Sequence, residues 1–221
     1  MITLYELAGK NDLRFSPPCW NVKLCLLYKN IDFETVAIGF SEKNKILFSN
    51  QQLVPVLKHQ DGHISDSWNI INWLDENYEN PKLFVNEASK NFSHFLYLWT
   101  SRQILPILFK IIAHEIPNIL EGDDLNHYII TREERIKGPI TKFVPVISDS
   151  IKKFRSLINP IRSLIKKNGF ISGSNPGIED FIFFGNFKWV YTCSSCNLLD
   201  KEDEVFQWYK KINQIFNIET H

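Results

Sequence analysis

Every segment of this 221-residue chain that reads as a β-strand lies before residue 66. ITLYEL (2–7) alternates with period two, FETVAIGF (33–40) is rich in aromatic and β-branched residues, and VPVLKH (54–59) runs into the turn signal QDG before HIS (63–65) returns. Between the first two, Pro17 opens a run with Trp20, Leu24 and Leu27 at i, i+4 and i+7, an amphipathic helix. SEKNKILFS (41–49) reads as a short, poor helix, and SWNIINWLDENY (67–78) sets Ile70, Ile71, Leu74 and Tyr78 on one face. A βαβ unit followed by a hairpin and a helix predicts a small mixed sheet with helices on both faces.

Beyond the linker NPKLF (80–84) no segment reads as a strand. Phe92, Phe95, Leu96 and Trp99 begin a stripe that continues through Leu108 to Ile112, with Pro106 and Pro117 expected to kink or end it. These three aromatics read as core. A second stripe runs Ile140, Phe143, Val144, Ile147, Ile151, Phe154; Pro160 restarts a helix. An apolar helix spans Ile178 to about Tyr191, and WYKKINQIF (208–216) closes the pattern. The expectation is an α/β domain over 1–84 and an all-helical domain over 90–221.

Charge and cysteine usage narrow the function classes. Lys plus Arg and Asp plus Glu both number 25, so the basic excess of a general nucleic-acid binder is absent. No signal peptide is read at MITLYEL, and no apolar stretch approaches the ~18 residues of a membrane span. Four cysteines in a chain of this length are no disulfide framework and point to a reducing cytosol. The aromatic share, 14%, suits pockets for flat apolar ligands.

Three motifs carry chemistry. In SPPCW, Ser16 precedes two prolines at the start of a helix, as an N-cap does. The same geometry lets a hydroxyl and a helix N-terminus stabilise a thiolate. In VPVL, Pro55 begins a strand; it is either an ordinary edge proline or a cis proline that turns the Val54 backbone toward an extended peptide. In SDSW, Asp66 and Ser67 either cap a helix or hold the carboxylate and ammonium of an α-amino-acid head. In GSNPGIED, Gly177 takes the cap place and Asp180 the reciprocal one, which makes Asp180 a folding residue. Cys19 reads as structural. Cys193 and Cys196 form a bare CxxC, short of the further ligands a zinc site needs.

ITLYEL, SPPCW, LVPVL, the DSW…WLDENY run with PKLF, and GSNPGIEDF occur in an order that resembles the cytosolic glutathione transferases over nearly the whole chain. The pattern is most similar to the lignin β-etherase-type transferases and the related fungal serine transferases. The resemblance implies a thioredoxin-like N-terminal domain and an all-helical C-terminal domain. It implies glutathione as co-substrate without a metal, a small hydrophobic and aromatic second substrate, and a homodimer. Residue by residue, it implies that Ser16 donates to the glutathione sulfur, and that Val54 and a cis Pro55 pair with the cysteinyl backbone. Asp66 and Ser67 bind the γ-glutamyl end. Gln52 ranks first for the glycyl carboxylate, ahead of Lys43, Lys45 and His59. Tyr5 and Asn11 are rival activators of the sulfur. Asn11, Trp99, Arg102 and Gln103 are candidates for the electrophile site. A non-catalytic ligand-binding protein and a glutathione-dependent peroxidase are the alternatives; the serine at position 16 argues against a dithiol reductase.

Overall fold

The structure, a computed structural model, describes residues 1–218; positions 219–221, the end of the expected helical domain, lie outside the described residues. Four strands, β1 (Ile2–Leu7), β2 (Phe33–Ile38), β3 (Val56–His59) and β4 (Gly62–Ser65), form one sheet in the order β2-β1-β3-β4. β1 pairs parallel to β2 (Leu4 with Thr35) and antiparallel to β3 (Tyr5 with Val56), and β3 pairs antiparallel to β4 (Val56 with Ser65). Parallel pairing needs a crossover, and α1 (Pro17–Tyr28) supplies it. Leu4 and Leu57 pack with α1 and α2 (Ser67–Asn77) in the main core. Ile38 and Val56 face the other way, onto Ile46 of a 3₁₀ segment, Lys43–Ser49.

The helices α3 (Glu87–Trp99), α4 (Leu105–Ile112), α5 (Gly122–Ile136), α6 (Ile147–Leu157), α7 (Asn159–Asn168), α8 (Ile178–Cys193) and α9 (Glu204–Ile215) complete the chain. The mixed sheet domain followed by a helical domain is the expected fold class. α8 is its axis, with Phe181, Ile182, Phe183, Phe184, Phe187 and Val190 all buried. It lies between the other helices of its own domain and α1 of the sheet domain. That sandwich explains why α1 is not amphipathic. Trp20 and Leu24 are buried as expected, but so are Val22, Cys25 and Leu26, while Leu27 of the expected stripe is 36% exposed. A helix packed on both sides needs apolar residues all round.

Other expectations need correction. Phe92 and Phe95 are not core; they are 45% and 62% exposed on α3. Pro106 does not end the helix there. A π-helical turn, Thr100–Ile104, inserts ahead of it, so α3, this turn and α4 form one helix over Glu87–Ile112. The wider turn re-routes the backbone bonds that proline breaks. An 18-residue window of this 26-residue helix reaches the mean hydropathy (1.2) of a membrane span, which the sequence reading did not foresee. Ile104, Ile107, Leu108, Ile111 and Ile112 of its second half are buried within the protein. α5 fills a stretch to which the sequence reading assigns no element.

Buried polar groups pin the connections. The Lys29 ammonium donates to the carbonyls of Tyr78 and Pro81, both at 2.7 Å, which holds the linker against α1. Asp180 accepts from the backbone N–H groups of Ile171, Ser172 and Gly177 and from Trp208 Nε1, at 2.7–3.2 Å. Only half a capping box exists there, because Gly177 has no side chain to return the bond.

Candidate active site between the two domains

A cavity of about 690 Å³ opens between the sheet domain and the helical domain. Leu7, Phe15, Ser16 and Phe40 line it from one side, and Phe109, Tyr128, Phe143 and Trp189 are among its residues on the other. Its wall is mostly apolar and aromatic. Ser16 reaches it because β1 ends at Leu7 and the following loop delivers the chain to the start of α1.

Ser16 occupies the N-cap backbone position of α1, but its side chain makes no capping hydrogen bond. The prolines account for part of this. A cap bonds the N–H of N2 or N3; Pro18 at N2 has none, which leaves only that of Cys19 at N3, and the side chain does not take it. The Ser16 side chain instead lies beside the Cys19 thiol one turn on, where it favours the thiolate. Burial outweighs that, and then the charge of Glu6; together they push the Cys19 thiol up to about 12. Cys19 is therefore an inert neutral thiol. Glu6, fully buried, is neutralised by Arg14 at 2.9 Å and Lys23 at 2.5 Å.

The Val54–Pro55 bond is cis, and so is Asn80–Pro81. The sheet ladder starts at Val56, so Val54 lies beyond the paired register. Asp66 adopts φ 73°, ψ 127°, a conformation costly for a residue with a Cβ. Its carboxylate caps α2 by accepting from the Trp68 and Asn69 N–H groups at 3.0 and 3.1 Å. The Ser67 hydroxyl is buried and lies 3.1 Å from the Tyr97 hydroxyl of α3. Gln52 is exposed just ahead of Val54. Lys45 is engaged with Glu42 at 2.6 Å, and His59 stacks on Trp73. Lys43 is half-buried, and burial followed by the charge of Arg132 pushes its pKa down.

The cavity does not take in the residues expected for the second substrate. Asn11 is exposed in the first loop, Trp99 stacks on Phe183 at 6.3 Å, and Arg102 and Gln103 are exposed on the π turn. Ser101, Leu105, Pro106 and Phe109 line the cavity from that helix instead. The extra residue of a π turn shifts the helical face, which spacing alone does not register. Tyr5 is also absent from the wall; it packs on Phe48 at 5.1 Å, over the Lys43–Ser49 segment. Four further cavity residues that the sequence reading missed, Tyr128, Arg132, Arg135 and Ile136, come from α5. Leu125, Tyr128, Ile129, Arg132 and Ile136 have helical spacing and would have revealed it. α5 is fastened to the sheet domain by Asp124, which accepts from the Ser41 N–H at 2.7 Å and the Ser41 hydroxyl at 2.6 Å.

The glutathione S-transferase N-terminal domain family matches residues 12–82, and the glutathione S-transferase C-terminal domain family matches residues 91–210. The chain belongs to the glutathione S-transferase family. Solved transferases share its fold. A glutathione S-transferase of Ceriporiopsis subvermispora, CsGST63524, determined in complex with glutathione, superposes with a TM-score of 0.84 at 19% identity, covering 98% of this chain and 96% of that one. A second from the same fungus, CsGST83044, also in complex with glutathione, gives 0.80 at 17% identity over 98% of both chains. Glutathione transferase GSTFuA3 of Phanerochaete chrysosporium gives 0.79 at 18% identity, covering 98% and 96%. In this family member, among the described residues, no three His, Cys, Asp or Glu side chains gather into a metal-binding group. Cys193 ends α8 buried, and Cys196 lies partly buried in the loop after it.

Proposed function

We propose that this chain is a glutathione transferase in which Ser16 holds the glutathione sulfur as a thiolate for attack on a hydrophobic, aromatic electrophile. The observation that carries the proposal is the Ser16 side chain, spared from helix capping and lining a large aromatic cavity between the domains. The cysteinyl backbone of glutathione pairs with Val54 beside Pro55. Asp66 and Ser67 take the γ-glutamyl end, and Gln52 and Lys43 face the glycyl carboxylate. Val54, beyond the paired register and joined to Pro55 by a cis bond, and Ser67 at the start of α2 support this line of contacts.

The thiolate sulfur attacks the electrophilic carbon, a C–S bond forms and the leaving group departs with the bond pair. Where the substrate is an aryl ether with its ether carbon α to a ketone, the aryloxide leaves and takes a proton from water. That chemistry belongs with the β-etherase-type and fungal serine branch. Boundaries of 1–84 and 90–221 and a cytosolic homodimer complete the proposal. Exposed Leu47, Phe48 and Leu53 on the sheet domain and Phe92 and Phe95 on α3 supply apolar surface for the dimer.

Titration of the protein with glutathione, following thiolate absorbance against pH, tests the reading. Saturable binding with the thiol pKa well below ~8.5, and turnover of aryl halides or aryl ethers, is expected. Binding with an unshifted pKa and no turnover would leave a carrier; no binding would leave only the fold.

A further inference from the structure

The chain as a whole is balanced in charge, 25 cations to 25 anions, yet its cavity is not. Lys110, Arg132 and Arg135 line it, and among the described residues no carboxylate does. Arg132 and Arg135 stand three residues apart on α5, one turn of the same face. Among the described residues neither forms an ion pair, unlike Arg14, Arg155 and Arg162. Arg132 donates once, to the neighbouring Thr131 hydroxyl at 3.0 Å.

Both guanidinium groups are held by rings. Arg132 lies 5.4 Å from the centres of Phe40 and Tyr128, and Arg135 lies 5.2 Å from that of Phe109. Stacking engages the faces of a guanidinium and leaves its in-plane N–H fork open. Burial and the like charge of Arg135 make the Arg132 site unfavourable for a cation. Arg132, half-buried, and Arg135, exposed at the cavity's edge, have no ion-pair partner among the described residues and form a fork that an anion completes. The remainder of the wall is flat and apolar, so the anion it suits is carried on an aromatic body.

We propose that the second substrate is an aromatic acid, its carboxylate or sulfonate held by Arg132 and Arg135 and its ring against the aromatic wall. Calling this ligand the second substrate rests on the transferase reading; the acid-binding subsite itself does not. The rival anion is the glycyl carboxylate of glutathione, since Lys43 lies close enough to Arg132 for their charges to interact.

Two fluorescent probes with one ring system decide the matter: 8-anilinonaphthalene-1-sulfonate and the uncharged N-phenyl-1-naphthylamine. Each is titrated into the full chain, with and without saturating glutathione, and glutathione affinity is measured by calorimetry. The sulfonate is expected to bind about tenfold tighter than the neutral probe at low salt, in the presence of glutathione, with the preference shrinking as salt rises. Arg132→Gln with Arg135→Gln should abolish the preference and leave the neutral probe's affinity unchanged, which also reports an intact cavity. The double lysine variant should retain part of it. Equal affinity for the two probes in the wild type would overturn the proposal, as would equal weakening of both by the glutamine variants. So would a glutamine variant that loses glutathione affinity while keeping the sulfonate preference. A sulfonate preference lost in the glutamine variants, in a protein that binds no glutathione, would uphold the acid subsite and remove the transferase reading.

Discussion

Replacing Ser16 by Ala separates thiol activation from helix capping. A helix start leaves four N–H groups unpaired, but Pro17 and Pro18 have none, so α1 offers those of Ser16 and Cys19 alone. The helix terminus is thus a weakened anion site, and the hydroxyl carries a larger share of the thiolate's stabilisation. A hydroxyl donor to an anion contributes about 1.5–3 kcal/mol. At about 1.4 kcal/mol per unit, its loss should raise the pKa of the bound thiol by about 1–2 units. The assay is thiolate absorbance of the glutathione complex against pH, paired with kcat at each pH. At pH 6.5 kcat should fall about tenfold to a hundredfold. The deficit should close as pH rises through the variant's higher pKa, since the thiolate is then recovered without help. Ser16→Thr, which keeps the hydroxyl, should restore most of the shift. No capping bond is lost, so stability should change by less than about 1 kcal/mol. An unchanged thiol pKa with a loss of stability of about 1–2 kcal/mol would refute the reasoning and return Ser16 to a cap.

Asp180→Ala orphans four N–H donors, two of them in buried hydrogen bonds and two in partly buried ones. It should destabilise the protein by about 4 kcal/mol or more, read as the urea midpoint, with Trp208→Phe losing far less. Gly185→Ala would place a Cβ 2.6 Å from both the Asn21 amide and the Pro17 carbonyl oxygen. It should cost about 1–3 kcal/mol or more by thermal melt and raise the KM for glutathione, because Pro17 adjoins Ser16. Burial pushes the Cys19 thiol up to about 12 in the fold, above the ~8.5 of an unfolded thiol. The neutral thiol is the form the fold prefers, so this stabilisation is full below pH ~8.5 and drains away as pH climbs toward 12. Each such thiol should cost about 1.4 kcal/mol per pH unit in that window; burial pushes Cys25 and Cys193 up as well. Melting temperatures at pH 8 and pH 10 check it, and Cys19→Ala should flatten the slope.

Local chemistry made the sheet domain legible. β1, α1, the hairpin and α2 all stand within a few residues of their expected places, because alternation, a proline start and the QDG turn act over short distances. Ser16 was legible as an N-cap position, but whether its hydroxyl was spent on the cap depended on how two prolines share one turn. The helical domain was read less well for three separate reasons. The π turn at Thr100–Ile104 leaves no mark in the spacing. Phe92 and Phe95 carry the periodicity of a core stripe and yet lie on the surface. α5 bears Arg132 and Arg135 on its inner face, so its stripe looks broken when only apolar residues are counted.

The same two-sided burial that removes the amphipathic stripe of α1 also accounts for where the site is. α8 comes close to the first turn of α1 because position 185 has no side chain there. The Asn21 amide then reaches the carbonyls of Pro17 in α1 and Phe181 in α8, at 2.9 and 3.1 Å. The residue next to Ser16 is therefore fixed from the helical domain, not only from the sheet. On the far side of the cavity, Asp124 of α5 grips Ser41. These two attachments hold the walls while the space between them stays open. A hydroxyl on a helix start fixed in this way changes little in position when a sulfur arrives, so its interaction with the thiolate is not spent on reorganisation. Loosening α8 should therefore impair thiol activation even with Ser16 intact, and the Gly185→Ala variant is the direct comparison. A normal thiol pKa shift in that variant, with α8 displaced, would show that the α1 terminus keeps its geometry from the sheet alone.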